Sequence, residues 1–187
     1  MDPNYVVDFS KHTIDYLEND RKSFLDVISS EHLNGKLGFA LIATAMAAFD
    51  TYAWILFQSF DQRKKNGELF TKLLNDVRFF DKTKYKNEKV FYARIRCGVM
   101  HQLYPKSAAI IANTTSEILC NSGGNLCVNA YALYCDVLAG IRRIHAYIAS
   151  CSERERIDYS FKLLLRAKID EEAADNDSID ISKLPQA

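Results

Sequence analysis

The residue types best suited to chemistry lie in one short run, FYARIRCGVMHQLYP (91–105). It holds Arg94, Arg96 and His101. An imidazole titrates near neutral pH and moves protons. A guanidinium stays charged and forks onto an anion such as a phosphate or carboxylate. The run also has helical spacing, with Phe91, Ile95 and Val99 on one apolar face that continues to Gln102. On an ideal helix Arg96 sits about 100° to one side of Ile95, and Arg94 and His101 about 100–120° to the other. Arg96 and His101 are then about 140° apart and flank the buried stripe. A solvated helix edge, or a His favouring the C-terminal dipole, gives the same pattern.

Asp50 is the second residue that stands out. It is the only charged side chain between Lys36 and Asp61. A buried carboxylate needs a partner. Arg94 or Arg96 can supply it and be oriented in return, and a tyrosine or hydroxyl of the bundle serves equally well. Tyr92 and Tyr104 flank the run and could stack on a base, although half-buried packing is the commoner use. Lys106 could touch a phosphate, or simply be solvated. Lys82, Lys84, Lys86 and Lys89, with Arg94 beyond, form the one locally basic stretch. It is either a phosphate patch or a solvated loop.

Composition limits the alternatives. The 187 residues carry 24 Lys+Arg and 24 Asp+Glu, so no global basic field draws in nucleic acid and any RNA contact is local. Five cysteines without a CxxC pair, and four scattered histidines, give no zinc spacing, so no metal and no cofactor is expected. No Gly-rich phosphate loop and no internal repeat are visible. The opening MDPNYVVDF lacks the basic-then-apolar pattern of a signal peptide, so a cytoplasmic protein with reduced thiols is expected.

The elements that must position these groups read as helices. Asp2-Pro3 suits a helix start, and Tyr5, Phe9, Tyr16, Leu17, Phe24, Leu25 and Ile28 recur at helical spacing up to a stop at Asn34-Gly35. Leu37 to Phe60 is apolar almost all round. It is long enough to span a membrane, but Asp50 at its middle would cost on the order of 3 kcal/mol there. It therefore reads as the central buried helix of a bundle, with no membrane involved. Leu69–Phe80 is amphipathic, with Phe70, Leu73, Leu74 and Val77 on one face, and 81–88 is a charged loop. Glu88–Gln102 is the next helix, stopped by Pro105. Residues 107–125 hold two short β-prone runs and predict a small hairpin. Leu126–Ala149 is a long helix. The capping-box spacing Ser152–Glu155 starts a last one, with Ile157, Phe161, Leu164, Leu165 and Ile169 facing inward. The expectation is an all-α, up-and-down bundle of five to six helices over residues 1–170, with one β-hairpin insertion. An acidic, disordered tail covers 171–187.

Arg96-Cys97-Gly98-Val99-Met100-His101 resembles the Arg-x4–6-His motif of HEPN domains. The continuation from Gly98 to Gln102 resembles abortive-infection and plasmid-borne members. The motif sits late in an all-α bundle, after a long apolar helix, as in that family. The resemblance covers most of residues 1–170 in helix order, but fewer than ten positions in identity. It implies a metal-independent endoribonuclease of toxin or phage-defence type, whose active site forms at a homodimer cleft. Arg96 would hold the scissile phosphate, and His101 would assist proton transfer at the 2′-hydroxyl or the leaving oxygen. Asp50, Arg94 and Cys97 would support them, and Tyr92, Gln102, Tyr104 and Lys106 are candidate substrate contacts. Cys97 stands where family members often carry Asn, Asp or His. RNA is the implied partner, with an antitoxin or defence-system protein possible. Two alternatives belong to other classes: a catalytically inactive HEPN-like binding or dimerisation module, and a membrane-associated protein using residues 37–60.

Overall fold

The structure is a computed structural model, and it describes residues 1–28, 34–59, 65–85, 91–102, 108–111, 117–122 and 125–175. Among the described residues six α-helices carry the fold: α1 (Tyr5–Ile28), α2 (Asn34–Phe57), α3 (Asn66–Leu74), α4 (Cys97–Gln102), α5 (Ala130–Ser150) and α6 (Glu153–Asp175). A 3-10 turn at Lys82–Tyr85 and a π turn at Tyr92–Arg96 precede α4. Three short strands, β1 (Ala109–Ile111), β2 (Leu119–Ser122) and β3 (Asn125–Asn129), lie between α4 and α5. The fold is thus an all-α bundle with a small β insertion.

α2 is the central helix. Leu41, Ile42, Ala45, Met46, Phe49, Tyr52, Ala53 and Ile55 are almost wholly buried. Its neighbours α1, α3, α5 and α6 cover it, which accounts for a sequence apolar on nearly every face. By length and composition Gly38–Phe57 could cross a membrane, yet here it supplies the bundle core. Polar groups pin the outer helices. The Tyr134 hydroxyl donates to the Leu17 carbonyl (3.0 Å), the Val6 amide to Ser160 Oγ (3.2 Å), and the Trp54 indole to the Lys162 carbonyl (3.3 Å). At the turn into α6, the Ser152 amide and hydroxyl donate to Glu155 and the Glu155 amide to Ser152 Oγ, as the capping-box spacing predicts.

Several boundaries differ from the sequence reading. Asn34 and Gly35 open α2 rather than close α1. α3 ends at Leu74, because Asp76 starts a turn and the Phe79 and Phe80 amides both donate to its carbonyl. Val77 is therefore 80% exposed instead of sharing the apolar face. Among the described residues the β insertion has three strands. β1 and β2 do not pair with each other. Both pair with β3, β1 in parallel (Ala109↔Cys127) and β2 antiparallel (Leu119↔Val128). β3 takes residues assigned to a helix because Asn129 ends the strand and caps α5 at once, its side chain accepting from the Ala132 amide. On α6, Phe161 and Leu164 are exposed, and Ser160, Lys162 and Leu163 are buried. α6 continues to Asp175, into the stretch assigned to the tail; residues 176–187 lie outside the described set.

Candidate active site

The Asp50 carboxylate and the Arg96 guanidinium meet in the core. Arg96 Nε donates to Asp50 Oδ2 at 2.9 Å and Nη2 donates to the same oxygen at 2.6 Å. The side chains are only 9% and 8% exposed, so each ion needs the other. Of the two partners open to Asp50 among the arginines, Arg96 is the one it holds. Arg94 is exposed.

The π turn explains why Arg96 is inside. The Cys97 amide bonds to the Tyr92 carbonyl five residues back. That i→i+5 pattern brings Phe91 and Arg96 onto one side, so Phe91, Ile95 and Arg96 are all buried. An ideal α-helical wheel leaves Arg96 on the flank. The flank position expected of it is thus corrected to an inward one.

Tyr92 covers the pair. Its half-buried ring lies 5.5 Å from the Arg96 guanidinium carbon and 5.1 Å from the Phe70 ring. Gly67 makes room for it: a Cβ there would fall 3.0 Å from Tyr92 Cε1. Burial lowers the Arg96 pKa, but hydrogen bonding and charge from Asp50 outweigh this and raise it overall. Burial raises the Tyr92 pKa, partly opposed by the Arg96 charge. Cys97 is half-buried, and its thiol is close enough to Tyr92 and Arg96 to help raise the pKa of both. From the other side Arg166 of α6 donates to the Asp50 carbonyl at 3.0 Å and lies over the Trp54 ring.

Asp50, Tyr92, Arg96 and Cys97 are therefore brought together, and Arg94 is not part of the cluster. For His101 and Gln102 the structure describes the helical backbone of α4 and not the side chains. Tyr104 and Lys106 lie outside the described residues. Sequence reasoning missed Gly67 and Arg166. Neither has a signal of its own in the sequence: Gly67 lies in the polar run DQRKKNGE (61–68), and Arg166 is one of 24 lysines and arginines. Tyr92 touches the arginine instead of standing free as a stacking platform.

Three cavities bounded by described residues lie elsewhere. One is between α1 and α2, one between the 3-10 turn and β2, and one between the 77–83 turn and Arg143. No family model, curated protein or solved structure matches the chain.

Proposed function

We propose that the chain is a HEPN-type endoribonuclease that cuts RNA without a metal ion, at a groove shared by two copies. The observation that carries this reading is the Asp50–Arg96 pair, which fixes the arginine at the head of the helix leading into Gly98–His101. A guanidinium held in one direction is one requirement for stabilising a pentavalent phosphate; the reading also requires that the phosphate reach the buried Arg96 from the groove. In the proposed reaction, His101 of one copy takes the proton of the RNA 2′-hydroxyl. The 2′-oxygen bonds to phosphorus as the P–O5′ bond breaks. The leaving oxygen takes a proton from a second imidazole, that of the other copy. The products are a 2′,3′-cyclic phosphate and a 5′-hydroxyl, and no co-reactant is consumed. A cytoplasmic setting and a restraining antitoxin or defence partner belong to the same proposal.

The burial of Arg96 favours a second reading. If the pair only pins the motif helix to α2, the domain is an inactive binding or dimerisation module. End analysis of RNA incubated with purified protein in EDTA decides between them. Cyclic phosphate and 5′-hydroxyl ends support the nuclease. Intact RNA at several pH values, from a protein that dimerises, supports the module.

A further inference from the structure

The turn between α3 and the 3-10 helix carries a feature that the Arg96 site does not use. Phe79 and Phe80 anchor it: both are buried, with Phe80 4.9 Å from the Phe49 ring and seated against Gly140, where a Cβ would clash at 2.2 Å. With these rings as the root, the outer side of the turn and α5 border an open cavity of about 410 Å³. Arg78, Phe80, Asp81, Lys82, Thr83 and Arg143 line it, beside the exposed Val77.

The cations on this side of the molecule divide into two groups. Arg78 is bound through two nitrogens to Asp76, at 2.9 and 2.6 Å. Lys84 is bound to Asp136 at 2.5 Å, and Arg142 to Glu18. Among the described residues Lys82 and Arg143 have no carboxylate partner, and both line this one cavity. Arg143 gives one N–H to the Phe79 carbonyl at 2.7 Å, which fixes the guanidinium at the cavity wall and leaves other donors for an anion. The one acid of the lining, Asp81, accepts from the Thr83 amide and hydroxyl, which turn its carboxylate toward its own turn; it stays negative, and Lys82 and Arg143 outnumber it. The cavity is far larger than a bare oxyanion, and Phe80 and Val77 give it an apolar side. That combination suits a phosphate carried on an organic group.

We propose that this cavity binds the phosphate of a nucleotide unit, held by Lys82 and Arg143. The unit is either a free nucleotide or one residue of a single-stranded RNA. The proposal does not rest on RNA cleavage, and its test is built to avoid it. A fluorescent 2′-O-methyl oligoribonucleotide of mixed sequence has no 2′-hydroxyl to react, so its anisotropy reports binding alone. Isothermal titration with 5′-AMP and 5′-UMP tests the free source. With the oligonucleotide, Lys82→Gln lowers the slope of log K against log salt by about 0.7, the value for one phosphate contact on a single strand. Lys82→Gln/Arg143→Gln lowers it by about 1.4 by the same reasoning. If a mononucleotide binds instead, both variants weaken it and inorganic phosphate competes. Lys82→Gln alters an exposed side chain that has no carboxylate partner among the described residues, so its result does not depend on the turn surviving the Arg143 change. The site is overturned if the wild type binds neither probe, or if Lys82→Gln leaves affinity and salt slope unchanged for whichever probe binds.

Discussion

Asp50 and Arg96 are 46 positions apart in the chain, yet Nη2 of the arginine lies 2.6 Å from Oδ2 of the aspartate inside the core. This contact fastens the motif helix to the central helix and sets the direction of the guanidinium. Its energetics are testable separately from any activity.

Removing one ion strands the other. Asp50→Leu is expected to cost about 3–5 kcal/mol in urea unfolding, the usual penalty for an uncompensated buried charge. Asp50→Leu/Arg96→Met restores most of that stability, because an apolar pair of similar volume has no charge to desolvate. A double variant as unstable as the single one contradicts a paired-ion account.

The Gly140 contact sets two effects against each other. Gly140→Ala gains about 1 kcal/mol of helix propensity. The new methyl meets the Phe80 ring at 2.2 Å, and overpacking of this kind costs about 1–3 kcal/mol. Net destabilisation is the expected result in thermal unfolding, with loss of nucleotide binding at the neighbouring cavity. An increase in Tm shows that Phe80 moves without penalty.

Asp136 is a second buried carboxylate, 9% exposed, held by the Tyr85 hydroxyl at 2.7 Å and by Lys84. Burial and the Asp136 charge push the Tyr85 pKa well above that of a free tyrosine. Tyr85→Phe removes a charge-assisted hydrogen bond and is expected to cost about 1.5–3 kcal/mol in denaturant unfolding. A cost near zero means that Lys84 alone satisfies the carboxylate.

Acid sensitivity has a defined sign. The hydrogen bond from Arg78 holds the Asp76 pKa below the usual carboxylate value. A depressed folded pKa contributes stability that is complete above the unfolded value. That stability is lost as pH falls from about 4 through the folded pKa. Unfolding free energies measured between pH 5 and 2.5 are expected to fall more steeply for the wild type than for Asp76→Asn. Equal slopes contradict the assignment.

What was legible in the sequence follows from how each signal is encoded. The central helix was visible because cover from several neighbours leaves mostly apolar residues from Leu37 on, and Asp50 stood out against them. The Ser152–Glu155 cap was visible because its chemistry is local. β3 was not, since Leu126-Cys127-Val128 is separated from the apolar run of α5 by a single polar residue, Asn129, on which the switch depends. The inward turn of Arg96 was also hidden, because a π turn is set by what the helix packs against and leaves no periodicity of its own. Phe161 and Leu164 misled for a similar reason: α6 meets the bundle through Ser160, Lys162 and Leu163, and spacing alone does not say which face that is.

The most direct test of the nuclease account is the rate of RNA cleavage by the wild type and His101→Ala, side by side in EDTA, with circular dichroism confirming that both are folded. The account predicts cyclic-phosphate products from the wild type and a rate lower by about 10²–10⁴ for the variant, the usual worth of a positioned general acid or base. Equal rates, or no cleavage by the wild type, contradict it.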